Sequence, residues 1–224
     1  MKKLLLAISF LLISVTSFAI SPTASSVNMT PDNCKLAVCP HCGGKKGIMQ
    51  LASGNTIGAV LWSDAKQVAP MLPQVSPVQK CPMCGHYYLL NNVQFEEGDT
   101  YSFEEGWLSF DEAVEAFHEL NNQENLELLT IIIAWAFNDM LRADSEPSQE
   151  QYETFKIIVS NNLKQSIFME DALLRAELHR EIEEFDECLS VLSKYRPEND
   201  FIASIKKGII KRAKNQDNKV FVIN

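Results

Sequence analysis

Cys39-Pro40-His41-Cys42-Gly43 and Cys81-Pro82-Met83-Cys84-Gly85 repeat one five-residue pattern, and the pattern suits a metal ion. Four thiolates in two C-x-x-C pairs can surround a tetrahedral ion, with Zn–S distances of about 2.3 Å. The glycine after each pair admits a positive φ, so backbone N–H groups can turn toward the sulfurs. A single C-x-x-C carries little information. Repetition of its proline and glycine as well makes Cys39, Cys42, Cys81 and Cys84 the expected ligand set, with zinc the expected ion. Lys45, Lys46 and Lys80 flank the knuckles. They are either counter-charges to the two net negative charges of a Zn(Cys)4 centre or ordinary solvated lysines.

Two other chemistries compete for the same cysteines. Cys39-Pro40-His41-Cys42 is similar to the active-site motif of exported thiol oxidases with a thioredoxin fold. In that role the attacking thiol needs a helix N-terminus to lower its pKa. Here the motif runs into Gly43-Gly44-Lys45-Lys46-Gly47, a poor helix start, and the second knuckle goes unexplained. The C-x-x-C-G and C-P-x-C-G pair also suits tetrahedral iron, so a rubredoxin-like electron-transfer centre is the alternative to zinc.

The knuckles resemble those of a zinc ribbon over residues 36–90. Between Cys42 and Cys81 lie 38 residues, against about 15–20 in the common spacing. Extra loop length is thermodynamically mild, about 0.6 kcal/mol per doubling, so the site survives the insertion.

Residues 1–19 read as a signal peptide. Lys2 and Lys3 form a positive start, Leu4–Ile13 an apolar core, and Ser17-Phe18-Ala19 a small-residue cleavage site. The expectation is an exported chain, in a bacterial periplasm or secreted, with no integral membrane span after signal removal. The whole chain carries a net charge of −9, and cleavage would remove two lysines and no acids. An acidic chain is poorly suited to nucleic acid, which needs clustered Lys and Arg against phosphates. In an oxidising compartment cysteines pair unless metal holds them. Cys34 and Cys188 stand outside the ligand set, as free buried thiols or as a bridge.

The chain changes character along its length. Residues 20–35 read as a flexible lead-in rich in Ser, Thr, Pro and Asn. Residues 36–95 form the ribbon, with Ile48–Leu51 and Ile57–Trp62 expected to pair as a hairpin around Ser53-Gly54-Asn55. Tyr87-Tyr88-Leu89-Leu90 is expected to follow as a strand whose tyrosines serve the core. After Gly106 only Gly208 remains among the glycines, and helical periodicity takes over through residues 106–216. Ser109-Phe110-Asp111-Glu112 fits a capping box opening a helix to about Leu120. Leu126–Leu141 is apolar almost all round, which predicts a buried central helix. Ser148 caps a helix to about Lys164, and further helices are expected at about 169–183, 186–195 and 199–214. Residues 217–224 form a short apolar tail, a candidate edge strand on the ribbon. The fold class is α+β, mostly α, and the apolar stripe of the helical part implies that it folds without the ribbon.

Residues 172–197 resemble a tetratricopeptide-type helical hairpin. Ala176 and Cys188 take its small-residue places and Phe185 its aromatic turn position, while Glu183 stands where a turn glycine is usual. The combination of knuckles, long spacer and hairpin looks like poorly characterised bacterial zinc-ribbon proteins. That resemblance implies a module that binds a protein or peptide partner through its helices, and no known reaction.

No serine nucleophile elbow, phosphate-binding loop or His-Glu-x-x-His motif occurs, and no catalytic residue is assigned. His118 and His179 read as helix packing residues. His41 and His86 adjoin the knuckles, as neighbours of the ligands. Asn138, Asp139 and Arg142 read as a helix-end network, and the acidic runs Glu96-Glu97 and Glu181-Glu183-Glu184 as solvated faces.

Overall fold

Two capping boxes set the start of helices in the second half of the chain. Ser109 accepts from the Glu112 N–H and opens α1 (Phe110–Leu120), and Ser148 does the same with Gln151 for α3 (Gln149–Lys164). Between them runs α2 (Leu126–Arg142), whose Leu129, Ile131, Ile132, Ile133 and Phe137 are all buried. A helix apolar all round must be covered all round, and α2 is the centre of the molecule. Three more helices follow: α4 (Ala172–Glu181), α5 (Phe185–Lys194) and α6 (Asp200–Lys214). The computed structural model describes residues 31–51, 55–70, 75–98, 107–165 and 171–223. The expected signal peptide, cleavage site and first part of the lead-in lie outside these residues. The fold is α+β and mostly helical, with a small β region ahead of the helices. Among the described residues no helix is long and apolar enough to cross a membrane.

Strand β1 (Pro31–Val38) begins inside the expected lead-in and is the middle strand of an antiparallel sheet. Its partners are β2 (Lys45–Leu51) and β7 (Gln94–Gly98). Ile48–Leu51 therefore pairs with β1, and not with Ile57–Trp62 as the apolar runs predict. Instead β3 (Val60–Leu61) pairs with β4 (Gln67–Val68) inside the insertion. The expected turn at Ser53-Gly54 lies outside the described residues. The last hairpin joins β5 (Val78–Lys80) to β6 (Tyr87–Leu89). Glu96 and Glu97 sit on β7, an exposed sheet edge where charge discourages pairing with other chains.

β6 is buried on both faces. Strand side chains alternate sides, so Tyr87 and Leu89, with Val78, join the core made by α1 to α4. Tyr88 faces the other way, into a small cluster with Ala37, Cys39, Ile48 and Cys81. The change of sequence character near residue 106 is therefore no boundary in packing. The ribbon and the helices share one wall.

The insertion ties the chain together. Its 62–66 turn lies against the end of α2, where the Trp135 Nε1–H donates to the Asp64 carbonyl at 2.9 Å. Asn138 donates to the Asp64 carboxylate at 3.0 Å, and Arg142 pairs with the same carboxylate. Lys66 reaches Asp139 at 2.5 Å and sits 4.6 Å from the Trp107 ring centroid. Asn138, Asp139 and Arg142 thus join a partly buried network between distant segments, beyond the helix-end role their sequence implies. The C-terminal tail meets the same turn: Trp62 bridges Val222, and Ile223 N–H donates to the Leu61 carbonyl at 2.9 Å.

Ala176 and Cys188 are completely buried where α4, α5 and α6 meet, together with Leu192, Ile205 and Ile209. Cys188 is a free thiol, and burial pushes its pKa up to about 12. The Cys34 side chain lies outside the described residues. Glu181 departs from the expected solvated face: it is buried, and desolvation, with Glu177 nearby, raises its carboxyl well above the ordinary value.

The α4–α5 turn closes as a Schellman motif, with Glu184 N–H donating to the His179 carbonyl at 2.8 Å. Glu183 takes the left-handed position of that motif, at φ 67°. A side chain there costs about 1 kcal/mol relative to glycine. Glu183→Gly forfeits two long, exposed contacts, to Lys156 and to Asn218 Nδ2, each at 3.4 Å, and such surface contacts contribute little. The variant is expected to be about 1 kcal/mol more stable in urea melts. An unchanged or lower midpoint would show that Glu183 is not strained.

Candidate metal centre

Each knuckle is the tight turn of a hairpin. The first connects β1 to β2, and the second connects β5 to β6. Their backbones close identically. Cys39 N–H donates to the Gly44 carbonyl at 2.7 Å and Gly43 N–H to the Cys39 carbonyl at 2.9 Å. Cys81 N–H donates to the His86 carbonyl at 2.8 Å and Gly85 N–H to the Cys81 carbonyl at 2.9 Å. Gly43 and Gly85 stand at φ 72° and 76°. A Cβ at either would meet open space, so both glycines serve the backbone angle and not a close approach.

This places the sulfurs of Cys39, Cys42, Cys81 and Cys84 within 4.8 Å of one another. Across the knuckles, the Cys39 and Cys84 sulfurs are 3.7 Å apart and those of Cys42 and Cys81 3.6 Å. A disulfide needs about 2.05 Å. A tetrahedron with metal–sulfur bonds of about 2.3 Å has edges of about 3.8 Å, so the spacing matches an MS4 centre. The donor set fits a metal ion. Cys39 and Cys81 are buried, whereas Cys42 and Cys84 are at the surface.

Backbone dipoles, more than lysines, face the sulfurs. The Gly44 N–H donates to Cys42 Sγ at 3.4 Å. Burial opposes ionisation of Cys81, but the N–H groups of Cys84 and Met83 outweigh it and draw its pKa down to about 6. Lys45 instead pairs with Glu96 at 2.6 Å, and Lys80 lies 3.6 Å from both Glu112 and Glu115. Tyr88 backs the site with its hydroxyl buried and unpartnered. Burial first, and then the nearby cysteines, push that phenol up to about 12.

His41 and His86 stack beside the centre, with ring centroids 4.6 Å apart and planes 19° from parallel. His86 Nδ1 lies 2.7 Å from a carboxylate oxygen of Glu119, on the last turn of α1. Glu119 is 33 residues beyond His86 and gives no local sequence signal, so it is absent from the sequence reading. His179 meets Glu184 at 2.7 Å, and His118 packs edge-on to Phe117.

A scan against protein-family models, a search of curated proteins and a search of solved structures each return no match to this chain. The four-cysteine geometry is therefore the strongest guide to what the molecule does. The four cysteines cluster within metal-binding distance, an arrangement consistent with a zinc-ribbon-like site.

Proposed function

We propose that this chain is an exported zinc-binding module that docks a protein or peptide partner through its helices, with the metal holding the ribbon in shape. The observation that carries the metal reading is the 3.6–3.7 Å sulfur spacing across the knuckles. Four thiolates complete a tetrahedron and leave no open position for substrate, the arrangement of a structural site. The N-terminal sequence supports export. The partner role rests on α4 to α6, read as a tetratricopeptide-like hairpin with a following helix. Helical repeats recruit partners through such surfaces.

Charge is unevenly spread, and this refines the partner chemistry. The acidic surplus of the chain favours a basic partner at low salt. Lys206, Lys207, Lys211, Arg212 and Lys214 on α6 form a basic exception. Iron is the second reading, because a tetrahedral thiolate set suits it equally. Thiol–disulfide exchange at Cys39 and Cys42 receives less support, since that turn joins two strands and has no helix N-terminus behind it.

Metal analysis of the purified full chain tests the reading. The expected result is zinc filling the cysteine centre, with its four thiols slow to react. A red, iron-containing protein would support electron transfer. A metal-free protein with an easily reduced Cys39–Cys42 disulfide would overturn the zinc module in favour of the oxidoreductase. Cross-linking in the periplasmic fraction tests the partner: adducts should map to α4–α6, and adducts confined to the ribbon would remove the helical assignment.

A further inference from the structure

We infer that His41, His86 and Glu119 form a second metal site, distinct from the four cysteines, for a late first-row divalent cation such as Zn2+, Co2+ or Ni2+. One ligand atom from each of the three lies within 4.8 Å of the others, and all three residues are exposed. They come from three parts of the chain: the first knuckle, the residue following the second knuckle's glycine, and the end of α1. Two imidazole nitrogens and one carboxylate oxygen are the donor set of open zinc centres and of facial two-histidine, one-carboxylate sites. Three protein ligands leave at least one position free for water or an exogenous ligand. This donor set is harder than the all-thiolate set beside it, so the two sites favour different ions.

The triad is also held in place. Glu119 Oε2 accepts from the Tyr87 N–H at 3.3 Å while Oε1 faces His86 at 2.7 Å. Such outer contacts orient a ligating carboxylate. His41 sits between Cys39 and Cys42, and His86 lies two residues beyond Cys84, so the knuckle turns carry both rings. Stabilisation alone does not account for the grouping, because an exposed histidine–carboxylate pair contributes little. The ion would enter between His86 and Glu119 and draw in His41, with bonds of about 2.0–2.2 Å.

The experiment uses the full chain with its cysteine centre already filled by one zinc. Titration with Co2+, followed by calorimetry and by visible absorption, reads the second site directly. The expected result is one further equivalent with weak d–d bands and no thiolate-to-metal charge-transfer band. His41→Ala and His86→Ala should each weaken that equivalent at least about 10-fold, and Glu119→Gln should weaken it too. The first zinc and the far-ultraviolet circular dichroism should stay unchanged, which separates this site from the cysteine centre. No second equivalent in the wild type, or a second equivalent that persists in the His41→Ala/His86→Ala double variant, would overturn the assignment.

Discussion

Cys81→Ser is expected to abolish metal binding at the cysteine centre and melt the β1–β2–β7 sheet, while most of the helical circular dichroism remains. The cluster that packs the ribbon contains Ala37, Ile48 and Tyr88 beside two of the cysteines themselves. So few apolar side chains cannot offset the conformational entropy of ordering a loop-rich segment. Structural zinc contributes about 10–16 kcal/mol of apparent binding energy in small modules, enough to decide the outcome. The helices have their own core around α2 and do not need the ion directly. They do lose support, because Val78, Tyr87 and Leu89 belong to that core. The thermal midpoint should therefore fall even where helix content is kept. Amide hydrogen exchange reads both halves at once: fast exchange in β1 and β2, slower in α2 and α3. Retention of stoichiometric metal with a protected β1 would show that three cysteines suffice and that the four-ligand description is wrong.

The same shared wall explains which features the sequence revealed. Local signals were legible. Both capping boxes, the all-apolar run of α2 and the repeated knuckle are written in consecutive residues, and each stands where its residues predict. Pairings between distant segments were not legible. Nothing near Ile48 says that its strand pairs with Pro31–Val38 and not with the next apolar run, because both partners offer similar short β-prone stretches. Tyr87, Tyr88 and Leu89 read as one core strand, but which core each side chain joins depends on helices about 30 residues further on. The helical part likewise reads as self-sufficient, since sequence reports its apolar stripe without reporting what covers it. Glu181 failed for a related reason. A run of glutamates usually faces solvent, and only the arrival of Asn138 from α2, donating at 3.0 Å, gives this one a buried partner.

Asp64→Ala should be the most damaging substitution away from the cysteines, costing about 3 kcal/mol or more in urea unfolding of the full chain. Asp64 is almost wholly buried in the insertion, where its carboxylate meets Arg142 and Asn138 and the backbone N–H of Lys66. Burial raises its pKa in spite of Arg142, so desolvation offsets much of what the ion pair contributes. A buried pair of this kind adds little net stability compared with apolar residues, but removal of one member strands the other. Here the stranded group is the Arg142 guanidinium, whose side chain is only 8 % exposed. Asp139 at 2.7 Å retains part of its charge compensation, which places the effect at the lower end of the usual 3–5 kcal/mol. Arg142→Met added to Asp64→Ala should recover part of the loss, because the uncompensated charge goes with it. Costs that simply add in the double variant, or a single-variant cost below about 1 kcal/mol, would mean that the pair is not what holds the insertion to α2. Trp62 and Trp135 flank this contact, 5.0 Å from Arg142 in one case and hydrogen-bonded to Asp64 in the other. Their near-ultraviolet signal should therefore weaken in the single variant before the far-ultraviolet helix signal does. The 62–66 turn between the knuckles would then be the part of the chain that fastens the C-terminal tail to the central helix.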